Sequence, residues 1–294
     1  MNHPLNFAVG VDAPARGLPA ATHSTDVCRA RADGARRALN AAAASWFVVA
    51  VIGQFIFVAY IVAFFGRAAV RGQFASWNEV LAHGYIPGDT LGNLVVSLHL
   101  AFAALITAGG AVQLISGVRR LFPTFHQWNG RAYLVLAVAQ GVGGLIMVWT
   151  RGTVGDLSQS IAISINALLI ILCAGMTLRH ALARRIDVHR RWALRLFLVV
   201  SGVWFFRIGL MFWIVVNRGP VGFDPHTFTG PALTTLAFAQ YLLPLAVLQL
   251  YFRAHKSTAS GVRITMAMGI GALTLATGAG TAAATMIMWL PHLK

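Results

Sequence analysis

The sequence predicts an all-α, polytopic integral membrane protein of seven transmembrane helices with a four-helix core, its N-terminus inside and its C-terminus outside. Three observations carry this. Of 294 residues, 57% are hydrophobic and 11% charged, against roughly 25% charged in a soluble domain. The apolar residues form runs of the length that crosses a ~30 Å hydrocarbon core, about 20 residues per helix. Lysines and arginines gather in alternate connections between those runs.

In chain order, residues 1–42 lack the apolar core of a cleaved signal peptide and are rich in Ala, Arg and Gly. They predict a disordered, basic cytoplasmic tail with a short helix around 26–40. The membrane domain spans 43–290, with apolar runs at 43–66, 93–117, 132–150, 159–178, 192–216, 231–252 and 264–290. In lipid each backbone polar group must be satisfied within its own segment, so every run is a helix. The last run is mostly Gly, Ala and Thr. Its small residues Ala272, Ala276 and Gly280 recur every four positions, which suits close helix packing.

With the N-terminus inside, 17 of the 23 Lys and Arg residues lie on the cytoplasmic side and five opposite, with Arg207 inside a span. This is the positive-inside bias, and it places the protein in a bacterial cell (inner) membrane. The formal charge of +15 then faces anionic lipid headgroups. No basic groove for nucleic acid is present. Two cysteines, Cys28 in the tail and Cys173 in an apolar run, exclude a disulfide framework. The chain has no C-x-x-C, H-E-x-x-H or Gly-rich phosphate loop.

Two cytoplasmic connections share one plan. The first reads R119-R-L-F-P-T-F-H126-Q-W128-N-G-R131-A-Y133 and the second R184-R-I-D-V-H189-R-R-W192-A-L-R195. Each gives paired arginines, a spacer, a histidine, a tryptophan, and an arginine where the next span opens. The spans pair as two similar hairpins, 93–117 with 132–150 and 159–178 with 192–216, which form the four-helix core.

These hairpins, together with His99 and Arg207, resemble a family of bacterial multi-pass membrane proteins catalogued as a domain of unknown function. The resemblance covers about 93–217. It rests on His99, His126, Arg131, Tyr133, His189, Arg190, Trp192, Arg195 and Arg207. It implies topology and a motif, and it implies no activity. Ser164 and Asn166 depart from it, since the family fills that span with apolar and aromatic residues.

At ~1.5 Å rise per residue, His99 and Asn166 lie about 9 Å below the outer surface, and Gln140 and Arg207 about 13–15 Å. This outer polar layer predicts a site for a small anionic or lipid-like ligand. Arg207 cannot lose its charge, and no Asp or Glu falls in any of the seven runs. Its counter-charge must come from a loop carboxylate (Asp89, Asp156 or Asp224), from lipid phosphate, or from a bound anion such as a haem propionate or an acidic substrate. The missing carboxylates also argue against a proton pump, which needs a relay across the bilayer.

On the inner side, His126 and His189 open helices that ascend in the same direction. As axial ligands they would hold haem b, with Arg131 and Arg190 near the propionates, as in four-helix b-type cytochromes, a likeness of architecture only. They also suit interfacial histidines bonded to a neighbouring loop, or a metal or quinone site. His180 and Asp187 are the further ligands a mononuclear metal would require. The turn-rich outer loops hold His83, Asp89, Asp224 and His226. The sequence thus leaves three functions open: haem-b electron transfer, non-redox binding or transport of an anionic ligand, and a subunit of a larger membrane complex.

Overall fold

A computed structural model describes residues 20–293 apart from 82 and 154, with side chains from Arg29 onward. Among these residues there is no strand, only an isolated bridge between Asp224 and Thr229. The helices are α1 (Ala20–Ile61), α2 (Arg67–Val70), α3 (Thr90–Leu114), α4 (Ser116–Leu121), α5 (Pro123–Arg151), α6 (Leu157–Leu182), α7 (Ile186–Val200), α8 (Gly202–Asn217), α9 (Pro231–Lys256) and α10 (Ser260–Ala283). A π-helical turn, Val62–Gly66, joins α1 to α2, and another, Ala284–Trp289, extends α10. Six unbroken helices are long and apolar enough to cross a membrane, and α7 with α8, bent by 53°, makes a seventh. The protein is therefore polytopic and all-helical.

Local chemistry sets the helix starts. Pro123 and Pro231 occupy the first turns of α5 and α9, where a missing N–H costs nothing. The Asp89 carboxylate accepts from the Gly92 N–H at 2.9 Å, and Asp156 from those of Ser158 and Gln159 at 3.0 and 3.3 Å. Both satisfy donors that the first helical turn leaves free. Large apolar side chains such as Val48, Leu94, Leu105, Ile146, Leu168 and Leu275 point outward, as lipid-facing residues do.

The tail expected over 1–42 included a short helix around 26–40. The chain is helical from Ala20, and residues 1–19 lie outside the described set. Leu39 is fully buried against Ala254 and Ile270, and Arg263 donates to the Ala32 carbonyl at 3.2 Å. An Ala-rich helix with one packed leucine thus extends the first span below the bilayer.

The four spans of 93–217 pack in succession, α3 on α5, α5 on α6, and α6 on α7. Beyond the bend, α8 turns to α9 and α10, while α10 packs along α1. The largest apolar cluster joins Phe57, Tyr60, Phe64, Trp204, Ile208 and Trp289. Spans one and seven therefore line the core with span five and do not merely flank it. Of the small residues in the last span, Ala272 is exposed and Gly280 is buried. A Cβ on Gly280 would meet the Ile208 carbonyl oxygen at 2.5 Å.

Candidate functional site

The two hairpins match in detail. His126 and His189 are each the fourth residue of their helix, α5 and α7, and their N–H groups bond the carbonyls of Phe122 and Arg185 at 3.0 and 2.9 Å. Each histidine is tied back to the helix before it. The Gln113 side chain donates to the His126 carbonyl at 3.0 Å and lies 3.5 Å from its Nε2. Asn129 holds Gln113 in place, donating to its Oε1 at 2.7 Å. His189 donates from Nδ1 to the Thr177 carbonyl of α6 at 3.0 Å. A carbonyl can only accept, so this bond fixes a proton on Nδ1, and in the neutral ring the lone pair is then on Nε2. His126 Nδ1 is buried without a partner among the described residues.

The arginines around this pair are held otherwise than a propionate clamp requires. Arg131 lies over the Trp128 ring at 5.0 Å, and Arg195 over Trp192 at 4.9 Å. Arg190 is exposed, with no ion pair or hydrogen bond from its side chain among the described residues. The repeated Trp and Arg thus form a cation–π pair at the start of each ascending helix. No three His, Cys, Asp or Glu side chains gather among the described residues, so His180 and Asp187 do not join His126 and His189.

In the outer layer, no hydrogen bond links His99, Gln140, Asn166 and Arg207 to one another among the described residues. His99 lies against the paired glycines of α5: a Cβ at Gly143 or Gly144 would come within 3.6 or 3.7 Å of its ring. Its Nδ1 and the Gln140 Oε1 are buried without partners among the described residues. Asn166 turns to the α7–α8 bend, where its Nδ2 donates to the Val199 carbonyl at 3.2 Å.

That bend is a polar centre. Ser201 donates to the Phe197 carbonyl at 2.7 Å and accepts from Gln54 Nε2 at 2.9 Å. Gln54, Asn166, Ser201 and Gln240 are all buried, and a Cβ on Gly202 would strike Asn166 Nδ2 at 2.8 Å. The Ser201–Gly202 pair is the sequence signal for such a bend.

Arg207 points the other way, to α1. Its guanidinium lies 5.3 Å over the Phe57 ring, itself 6% exposed. The loop carboxylates are committed elsewhere. Asp89 pairs with Arg151 at 2.6 Å, and Arg151 also donates to Asn93 Oδ1 and the His83 and Gly84 carbonyls. Asp156 caps α6, and Asp224 accepts the His226 N–H at 2.8 Å within its own turn. Among the described residues, Arg151–Asp89 is the one ion pair. Arg207, half-buried, has no hydrogen-bond partner among them.

Three aromatic side chains near Arg207 escaped the sequence reading. Tyr60, Trp204 and Trp289 are at most 2% exposed, and Tyr60 Oη, Trp204 Nε1 and Trp289 Nε1 have no partner among the described residues. Buried Tyr and Trp usually find one.

The fold and these sites define a class: a polytopic helical membrane protein with polar side chains inside its bundle. The chain belongs to the family described as predicted membrane protein (DUF2306), whose model matches residues 96–243. That match reaches beyond the hairpins into α9 and leaves α1 and α10 outside it. No curated protein and no solved structure matches the chain.

Proposed function

We propose that this protein binds an anionic ligand at Arg207, in the outer half of its bundle, as a non-redox binding or transport protein. The observation that carries the reading is the unpaired guanidinium. A permanent charge inside a membrane protein needs a counter-charge; Asp89, Asp156 and Asp224 are engaged by other groups, and Glu79 makes no ion pair with Arg207 among the described residues. A ligand or lipid anion remains. The test is the thermal midpoint of protein purified in a neutral maltoside detergent, titrated with decanoate or phosphatidylglycerol. Either probe raises the midpoint of the wild type and not that of Arg207→Gln. Equal responses in the two proteins would sink the reading.

A second reading is favoured by the tautomer of His189. A free Nε2 on His189 and the unpaired His126 Nδ1 suit axial ligation of haem b, which would supply one-electron redox chemistry. Arg131 and Arg190 would have to leave their present positions to meet propionates. Oxidised and dithionite-reduced spectra decide this: a Soret band lost in both His126→Ala and His189→Ala supports haem. A colourless protein from haem-replete cells removes it.

In either reading the chain lies in a bacterial inner membrane with its N-terminus inside. Alkaline phosphatase fused after Lys294 is then active, and the same enzyme fused within 257–259 is not. The reverse pattern rejects this orientation.

A further inference from the structure

We infer that Tyr60 and Trp289 complete the anion site at Arg207, and that its ligand is an amphiphile whose head is a singly charged oxyanion, a carboxylate or a phosphodiester. This rests on the anion reading above and specifies its site and ligand class.

Convergence comes first. Phe57 is the shared neighbour: Arg207 lies over it at 5.3 Å, the Trp289 ring is 5.3 Å from it, and the Tyr60 ring is 6.4 Å away. Tyr60 and Trp289 stack on each other at 6.0 Å. Three helices, α1, α8 and the extension of α10, thus bring a guanidinium, a phenol and an indole to one junction.

The two neutral groups are buried and unspent. Neither Tyr60 Oη nor Trp289 Nε1 has a hydrogen-bond partner among the described residues, and a buried donor left unpaired is destabilising. An oxyanion accepting from both, and from the guanidinium, would recover that loss.

The backbone supplies an independent sign. Tyr60 lies two residues before the π-helical turn after α1, and Trp289 closes the one after α10. Such turns are rare and occur frequently at functional sites. Here two of them flank the same cluster of donors.

The chemistry of the ligand follows from the donors. Indole and guanidinium only donate, and the phenol can donate, so the ligand supplies acceptors. One guanidinium neutralises one negative charge, and a second would stay uncompensated in a low-dielectric site. The planar fork of the guanidinium matches two oxygens of a carboxylate or a phosphodiester. The walls are Phe57, Phe64, Phe65 and Trp77, so the part of the ligand next to its head is apolar. A lipid headgroup and a free apolar acid present this same chemistry.

The test uses the full chain in neutral maltoside detergent. Decanoate is compared with decanol, and dioleoylphosphatidylglycerol with dioleoylphosphatidylcholine, by the concentration dependence of the thermal midpoint. Tyr60→Phe removes only the donor, and Trp289→Phe keeps an aromatic ring while removing the N–H and part of the indole's bulk. Each is expected to weaken apparent affinity about tenfold or more, as for a hydrogen bond to a charged group. Arg207→Lys keeps the charge, loses the fork, and weakens binding as well. A response to decanoate alone identifies a free acid, and one to phosphatidylglycerol alone a membrane lipid. If Arg207→Gln loses binding while Tyr60→Phe and Trp289→Phe bind as wild type, this inference falls and the anion site stands. If neither anionic probe protects the wild type, or Arg207→Gln is protected equally, both fall.

Discussion

Gln54 on the first span donates to Ser201 at the bend of the fifth, Nε2 to Oγ at 2.9 Å, and both residues are buried. The bond joins the family-matched region to a helix outside it. It also sits where α7 stops and α8 begins, so a side chain of α1 holds the hinge of another span. The 53° bend sets the direction of α8, and with it the face on which Arg207 meets Phe57.

Ser201→Ala leaves Gln54 Nε2 without an acceptor and frees the Phe197 carbonyl from one of its donors. Loss of a buried hydrogen bond predicts destabilisation of roughly 1–2 kcal/mol, read as a lower thermal midpoint in detergent. Gln54→Leu, which fills the space and removes the amide, should cost less than Ser201→Ala. An unchanged midpoint in both variants would show that the bend holds itself without α1.

Gly280 predicts a larger penalty. Its α-carbon faces the Ile208 carbonyl oxygen so closely that an added Cβ would lie 2.5 Å away, and that atom is backbone, which cannot rotate aside. Gly280→Ala should force α10 off α8 and cost about 1–3 kcal/mol, the range for overpacking. The same change at Gly271, with nothing within 4 Å of its Cβ, should leave the midpoint unchanged or raise it slightly. Equal effects at the two positions would remove the close contact as the cause.

The outer clamp predicts a pH dependence. The side-chain hydrogen bond from Arg151 is the largest influence on the Asp89 carboxyl and, with the Gly92 N–H, holds it below the usual carboxylate range. A folded-state value below the unfolded one contributes stability that is complete above the ordinary range, near 4. That contribution is lost as pH falls through the lowered value. Asp89 is 41% exposed, so screening keeps the effect small. Asp156 and Asp224 are lowered too, each mainly by bonds within its own turn or cap. Asp89→Asn should therefore reduce, and not abolish, the fall in thermal midpoint below about pH 4. Identical pH profiles would count against the clamp.

Cys173 offers a reporter for these comparisons. It is a free thiol, 3% exposed, and modification requires access. In a Cys28→Ser background, a maleimide should label Cys173 only as the bundle opens, and faster in Gly280→Ala than in wild type. Rapid labelling of the native protein would contradict its burial.

Much of the architecture was legible from the chain. Run length against bilayer thickness located every span, and the repeated Arg-Arg…His…Trp…Arg pattern marked two hairpins that fold alike down to the position of each histidine. That Arg207 lies within a long apolar helical segment was legible. Which neighbour its face meets was not. Periodicity assigns a side chain to a stripe, and the stripe's partner depends on how seven helices close. That closure brings in Phe57, Tyr60 and Trp289 from spans one and seven. The basic segment before residue 43 was read by its charge, although the fate of Leu39 depended on α9 and α10.

The π-helical turn at Val62–Gly66 has the length of an α-helical segment carrying one surplus residue. Removing a single residue there would leave a regular helix, and because the turn absorbs the surplus, the residues beyond it would keep nearly their present facing. A one-residue deletion earlier in the span would instead rotate everything beyond it by about 100°. Arg67 would then lose its bond to the Leu293 carbonyl, and Phe65 would leave its place beside Trp77. Val62–Gly66 is therefore where the first span can change its length by one residue and keep its junction with span seven.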